Sequence, residues 1–367
     1  MGIDRVRVGI VGPGWWADTM YAPVLATCPD AAATAVYARN RRRAEAFAEA
    51  HGIPHVFTDM GELCASGEVD AVIVASANKT HHPFTVTALD AGLHVLCEKP
   101  LAVTAAEADD LAERARQAGL TCYVPFTYRY MPTTRWVKRL LDRGFIGRPY
   151  HLNLRYYSGW ARQGEYLWRL DQDEVGEAGV LGDLGSHWID MARWFFGEVE
   201  AVTAVVSHHI DRDARPDGGD YARADDGATV ILEFENGAQG VIVVSAVCHD
   251  VSTFGQSHHF DLHGSEGTIY AINDWNDRQE VRGVRVGEES MQELPIPDEI
   301  WGAGVRRAPV HDTYRDTFRH TDVLTRAWIA AIRDGTRVEP DFDDGAAVQR
   351  IIAACARSAA EGRRVAV

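Results

Sequence analysis

Three residues in two short stretches carry side chains suited to moving a proton: Lys99 in "LCEKPLA", and Asp183 and His187 in "GDLGSHWIDMARWFFG". Leu93, Val95 and Leu96 read as a buried strand, and Glu98, Lys99 and Pro100 follow at its end. A strand end that only had to reach the next helix would more simply use Gly, Asn or Ser. A charged lysine there can polarise a carbonyl or hold a hydroxyl as its proton leaves. Glu98 is placed to orient the lysine or a cofactor ribose, and a cis Lys99–Pro100 bond would aim the ammonium into a cleft. The plain alternative is a surface ion pair. The second stretch reads as a helix from near Gly182 to Gly197, with Leu184, Trp188, Met191 and Phe195 as its apolar stripe. Asp183, His187 and Asp190 fall on an adjacent face, so a histidine sits one turn from two carboxylates and is kept basic enough for proton transfer. A first-turn aspartate capping the helix beside a packed histidine would leave the same pattern. With Lys99 in the chain, the reading favours His187 as general acid or base and Asp183 as the group that positions it or the substrate.

The start of the chain carries a second pattern, one suited to binding a nucleotide. Val6, Val8, Ile10 and Val11 lead into "GPGWWAD", a G-x-G-x-x-A pattern of Gly12, Gly14 and Ala17. Gly12 permits the tight turn, Gly14 lets a diphosphate approach the backbone, and a small residue at 17 lets the next helix pack on the strand. The diphosphate would rest on the helix N-terminus, beside Trp15 and Trp16. A NAD-preferring site usually has Asp or Glu at the end of the second strand, about 20 residues past the glycines. Here stand Ala38, Arg39, Asn40, Arg41, Arg42 and Arg43. A guanidinium binds a 2′-phosphate well, whereas a carboxylate repels it. Basic residues also oppose the dipole at a helix start, which suggests an anion nearby. NADP is therefore expected, with NAD as the alternative; Ala38, Arg39, Asn40 and Arg43 are the expected contacts on that side.

The elements that would hold these residues alternate. "TAVYA" reads as a strand, "NRRRAEAFAEAHG" as a helix capped by Asn40, "DAVIVASA" as a fully apolar strand ending near Ser76, and "HHPFTVTALDAG" as a helix. "LHVLCEKP" follows as a strand, "TAAEADDLAERARQAG" as a helix and "LTCYVPF" as a last strand. The rhythm predicts an α/β fold with a doubly wound parallel sheet over residues 1–125 and a second domain over 126–367.

Taken together, Gly12-x-Gly14-x-x-Ala17, "ANKTHHPFTVTALDAGLHVLCEKPLA", "YRYMP" and "GVLGDLGSHWIDMARWFFG" resemble the glucose–fructose oxidoreductase/inositol dehydrogenase (Gfo/Idh/MocA) family over nearly the whole chain. The resemblance implies an N-terminal Rossmann domain and a C-terminal α/β domain with a large, mostly antiparallel open sheet, whose face often makes an oligomer contact. It implies reversible hydride transfer between a nicotinamide cofactor and a hydroxyl or carbonyl of a sugar, cyclitol or derivative. Lys99 falls on the family's active-site lysine, His187 on its catalytic histidine and Asp183 on the accompanying carboxylate. Asn78 and His81 match the N-x-x-H element beside the cofactor, which Ser76, Glu98 and Arg129 are also expected to line. The family usually has Pro before that Asn; Ala77 stands here, so the course of this loop is open. Other relatives retain their cofactor and use transient oxidation to cleave or eliminate, and some Rossmann proteins only sense NAD(P). A sensor would need none of Lys99, Asp183 and His187.

Tyr128 begins the segment leading into the second domain and is an expected substrate contact. "YYSGWARQGEYLWRLDQ" adds Trp160, Tyr166, Trp168 and Arg169. Aromatic faces beside planar hydrogen-bonding groups suit a sugar ring and suit an oligomer interface equally. "EFENGAQG" and "LHGSEGTIY" read as hairpin turns of an antiparallel sheet. His208/His209 and His258/His259 face opposite ways along a strand, so each pair offers at most one ligand, and no metal is expected. The formal charge of -16 would repel nucleic acid and anionic membranes. Six scattered cysteines without a C-x-x-C pair and no apolar leader fit a reduced, cytoplasmic protein, expected as a homodimer or homotetramer.

Overall fold

The computed structural model describes residues 5–249 and 255–367. By internal contacts the chain forms two units: residues up to Phe126 together with Phe318–Gln349, and Thr127–Thr317 together with Arg350–Val367. The boundary after 126 lies next to the one read from the sequence. The C-terminal segment, expected wholly in the second domain, is instead shared between the two.

The first unit is built on six parallel strands: β1 (Val6–Val11), β2 (Ala31–Tyr37), β3 (His55–Phe57), β4 (Ala71–Val74), β5 (His94–Cys97) and β6 (Cys122–Tyr123). Their order is β3-β2-β1-β4-β5-β6, so the chain reverses direction across the sheet between β1 and β4. Ligands of open α/β sheets bind outside the carboxyl ends of the strands at that switch. Val8, Ile10, Val72, Ile73, Val95 and Leu96 have no exposed surface, as strands covered on both faces require. The helices are α1 (Ala22–Thr27), α2 (Arg41–His51), α3 (Met60–Ala65), α4 (His81–Asp90) and α5 (Ala105–Ala118). Asn40 caps α2 by accepting from the Arg43 N–H, as its position predicts. Thr104 and Glu107 form a capping box on α5.

The second unit carries β7 (Pro149–Ser158), β8 (Val199–Ser207), β9 (Gly227–Phe234), β10 (Gln239–Ser245), β11 (Gln256–Gly264), β12 (Gly267–Asn273), β13 (Gln279–Arg285), β14 (Gln292–Glu293) and β15 (Val365–Ala366). They form one nine-stranded sheet in the order β14-β13-β12-β11-β7-β10-β9-β8-β15. Within this sheet, among the described residues, only the β7–β10 pair is parallel. Both expected hairpins are present, β9–β10 and β11–β12. On β7, Leu152, Leu154 and Tyr156 are buried and alternate with residues that are not, so one face of the sheet is covered and the other is open. Helices α6 (Pro132–Asp142), α7 (Gln172–Val175), α8 (Ser186–Phe196) and α9 (Asp298–Trp301) belong to this unit. The division between units falls within α10 (Val310–His320) and α12 (Phe342–Glu361), with α11 (Thr325–Asp334) in the first unit. No helix of the described residues is long and apolar enough to cross a membrane.

The late segment is integral to the first unit. Trp328 of α11 has no exposed surface and donates its indole N–H to the Thr121 carbonyl at 3.1 Å. Removing a buried tryptophan forfeits its burial and leaves a cavity. Trp328→Ala should therefore lower the stability of this unit by about 3–5 kcal/mol. Urea denaturation followed by circular dichroism checks this, and a loss under about 1 kcal/mol would mean that α11 is peripheral.

Candidate active site

In the first unit, the backbone itself forms the turn after β1. Gly12 has φ +92°, and a Cβ there would lie 2.8 Å from the Ser76 Cα, so only glycine fits. A Cβ at Gly14 would meet nothing nearer than the Arg43 Nη2 at 3.9 Å. One glycine is thus required by packing, while the other leaves room for a phosphate, which is the difference a dinucleotide site needs. Arg43 is drawn over the turn by its Nε–H, which donates to the Pro13 carbonyl at 3.1 Å. The first bond of the following helix runs from the Asp18 N–H to the Gly14 carbonyl, so the N–H groups ahead of it form an open turn that favours an anion. That helix passes through a π-helical turn, Ala17–Tyr21, before α1. Ala17 is fully buried, whereas Trp15 is 70% exposed. At the end of β2, Ala38 is buried and Arg39, Asn40, Arg41, Arg42 and Arg43 are exposed, with no carboxylate among them. These residues fit a nicotinamide dinucleotide at its diphosphate and adenosine end.

Two loops meet this turn at the carboxyl edge of the same sheet. After β5, the Glu98 carboxylate accepts from the Trp16 indole N–H at 2.6 Å, from the Tyr21 hydroxyl, and from the Lys99 N–H at 3.1 Å. Glu98 is half-buried by exposed area, yet its carboxylate lies deep enough that desolvation holds its pKa above the ordinary value despite those donors. The expected cis Lys99–Pro100 bond is present. After β4, Asn78 opens a short 3-10 turn, and the Ser76 hydroxyl lies 2.7 Å from that of Thr80. Ala77 has φ -68° and ψ 143°, a backbone that proline can also adopt, so alanine here leaves the local backbone compatible with the residue it replaces. His81 is 1% exposed and joins the two loops, its Nδ1 lying 2.8 Å from the Pro100 carbonyl and its Nε2 3.2 Å from that of Ser76. Two acceptors would suit an imidazolium, but burial outweighs them and takes the pKa down to about 4. The ring is therefore neutral, and the shorter contact identifies Nδ1–H as the donor.

In the second unit, the helix bearing the acid/base candidates begins with another π-helical turn, Leu181–Gly185, which runs directly into α8. The sequence reading has a regular helix here. π-turns are rare and often occur at functional sites. Asp183 is partly exposed and His187 buried, and the Asp183 carboxylate lies 3.9 Å from Arg169. Arg169 stacks on Trp168, 4.6 Å from the ring centroid, and both are exposed. Tyr166 donates to Asp171 at 2.9 Å, and Trp160 lies half-buried in the turn after β7. Tyr128 packs on the His187 ring at 4.5 Å between centroids, and its hydroxyl pairs with that of Tyr156 at 2.8 Å. Burial, with the Asp183 charge adding to it, raises the Tyr128 pKa to about 12, so this hydroxyl keeps its proton.

Other placements differ from the helical-face reading. Asp190 is fully buried and both its oxygens accept from Arg129, at 2.6 and 2.5 Å. Arg129, expected at the cofactor, is 6% exposed and also lies over Trp194 at 5.2 Å. Tyr156, Gln256, His258 and Trp275 surround Tyr128 and were not among the expected site residues. Strand alternation marks Tyr156 and His258 as inward-facing, which was the available signal. Trp275 adopts φ +64°, a strained backbone for an aromatic residue. Among the described residues no group of three His, Cys, Asp or Glu is arranged to hold a metal ion.

Comparison with known proteins covers both units. The Gfo/Idh/MocA model for the NAD-binding Rossmann fold of an oxidoreductase family matches residues 6–126, and the model for its C-terminal α/β domain matches 138–367. An inositol 2-dehydrogenase of Rhizobium meliloti is 28% identical over 99% of both chains. A levoglucosan dehydrogenase of Pseudarthrobacter phenanthrenivorans is 28% identical over 84% of this chain and 83% of its own. A levoglucosan dehydrogenase solved with NADH and levoglucosan superposes with a TM-score of 0.84 at 25% identity, covering 99% of each chain.

The neutral state of His81 has a measurable consequence. Its pKa falls from 6.5 to about 4 on folding, so between those values the unfolded chain binds a proton that the native protein does not. Stability is complete above the upper value and is lost as pH falls through the window, by about 3 kcal/mol for this group. Urea denaturation across that window should show His81→Gln losing less stability than the unmodified protein. Equal losses would contradict the neutral assignment.

Proposed function

Because the chain belongs to the Gfo/Idh/MocA oxidoreductase family, we propose that it is an NADP-preferring dehydrogenase acting reversibly on a hydroxyl or carbonyl of a sugar, cyclitol or sugar derivative. The observation that carries this reading is the junction at the carboxyl edge of the parallel sheet. There Glu98 ties the helix of the glycine turn to the loop that presents Lys99. The bound nicotinamide supplies the hydride acceptor or donor. Gly12, Gly14 and the open turn beside Trp15, Trp16 and Ala17 bind its diphosphate. Arg39, Asn40 and Arg43, next to Ala38, take the adenosine end, and Ser76, Asn78 and His81 line the cofactor with Glu98.

Lys99 holds the substrate hydroxyl and stabilises the charge that develops as its proton leaves. His187 takes that proton in oxidation and returns it in reduction, with Asp183 orienting the ring or the sugar. The Asp183–Arg169–Trp168 group offers a carboxylate, a guanidinium and an aromatic face, which suits a polyhydroxylated ring. The names of the relatives, an inositol and a levoglucosan dehydrogenase, support the same substrate class. Assembly as a homodimer or homotetramer is supported by the open sheet face, where Val205 and Ile231 are 65% and 48% exposed.

Lys99→Ala and His187→Ala test the reading. Each should lower kcat by roughly a hundredfold or more, as loss of a general acid–base group does, while leaving cofactor affinity within about twofold. Turnover that survives both substitutions would overturn it. Substrate conversion without net reduction of free cofactor would instead indicate cleavage or elimination with a retained nicotinamide.

A further inference from the structure

Asp225 and Asp226 stand side by side ahead of β9, each 2% exposed. Adjacent buried carboxylates are tolerated only when each is met by hydrogen-bond donors. These two turn to different segments. Asp226 accepts from the N–H groups of His209 and Ile210, at 2.9 and 3.0 Å. Asp225 turns instead to the beginning of the helix that carries Asp183 and His187. Its Oδ1 accepts from the Gly179 N–H at 2.7 Å and its Oδ2 from the Leu181 N–H at 2.8 Å. Its backbone carbonyl accepts from the Val180 N–H at 3.0 Å. Three consecutive N–H groups, which a helix start leaves without partners, therefore end on one residue far away in sequence.

The fit is close on both sides. A Cβ at Gly179 would lie 2.5 Å from the Asp225 carbonyl oxygen and 2.9 Å from the Ala224 Cβ, so the approach depends on glycine there. Leu181, which Asp225 grips, is also the first residue of the π-helical turn. A π-turn rotates the residues beyond it relative to a regular helix, so whatever fixes its first residue fixes the direction of Asp183 within it and of His187 just past its end. A carboxylate is also the one short side chain that offers an acceptor oxygen to each of two N–H groups at once. Burial, with the Asp226 charge adding to it, pushes the Asp225 carboxyl up to about 6, against the pull of the Leu181 and Gly179 N–H groups. The charge is held at that depth because the helix start meets it.

We propose that Asp225 is a positioning residue for the acid/base element, setting the direction in which Asp183 and His187 are presented to the substrate. The proposal rests on the reading of those two side chains given above. Asp225→Asn keeps the shape but turns an NH2 toward one of the two N–H groups. It should lower kcat by about ten- to a hundredfold, the range expected for misplacement by a fraction of an ångström to an ångström. Cofactor affinity, measured by fluorescence titration, should stay within about twofold. Hydrogen exchange read by mass spectrometry should accelerate in the peptide spanning Gly179–Leu181. Asp226→Asn removes an equally buried carboxylate from the adjacent position, and should accelerate exchange at His209–Ile210 with kcat little changed. Asp225→Glu, which restores the charge, should recover part of the lost kcat, and takes the place of the Asn variant if that one does not fold.

An unchanged kcat in Asp225→Asn, or equal kcat losses in the Asp225 and Asp226 variants, would overturn the proposal and leave Asp225 as a stability residue. The reading beneath it fails separately: Asp183→Asn and His187→Asn would then retain turnover, whatever the exchange data show at Gly179–Leu181.

Discussion

The Glu98 carboxylate is the point on which the arrangement of the first unit's carboxyl edge depends. It lies at the end of a buried strand and accepts from Trp16 and Tyr21 on the helix of the glycine turn, and from the N–H of Lys99. A carboxylate taken out of water is expensive, so those donors are required by it as much as supplied by it. The result is that the segment suited to a diphosphate and the loop bearing Lys99 cannot shift independently. His81 adds a second tie between the loops after β4 and β5 through the Pro100 and Ser76 carbonyls. The carboxyl edge of the sheet is thereby tied together by contacts within the protein itself.

The second unit solves a similar problem with different means. Its helix leaves Asp183 partly exposed and packs His187 against Tyr128, and it carries a π-helical turn near its start as the helix after the glycines does. Farther along, Asp190 and Arg129 form a buried, two-bond ion pair that secures α8 to the segment after Phe126. Such a pair adds little net stability compared with apolar packing, but breaking it would strand a charge in the interior. Its fixed two-bond geometry holds α8, the helix that carries His187, to that segment.

Much of this was legible in the residues. The apolar run of β5 ends at Glu98, Lys99 and a cis Pro100 as read from the residues, and Gly12 and Gly14 have the close approach and the openness that their spacing implies. Asn40 caps α2 where its type and place put it. The features that escaped are long-range or break periodicity. A regular helical wheel cannot register a π-turn, so Asp183, His187 and Asp190 were placed on one face, whereas Asp190 is engaged by Arg129 from a distant segment. The return of Phe318–Gln349 to the first unit is a tertiary choice with no local signal. Tyr156 and His258 are inward-facing by strand alternation, but the register that brings them together at β7 and β11 is set by pairing across the sheet.

The most direct test is a parallel fluorescence titration of the unmodified protein with NADPH and NADH. The account predicts saturable binding of both with NADPH the tighter, and loss of that preference in Arg39→Asp. Failure of either cofactor to bind, together with none released when the protein is denatured, would contradict the assignment of the glycine turn and the Lys99 loop to a nicotinamide site.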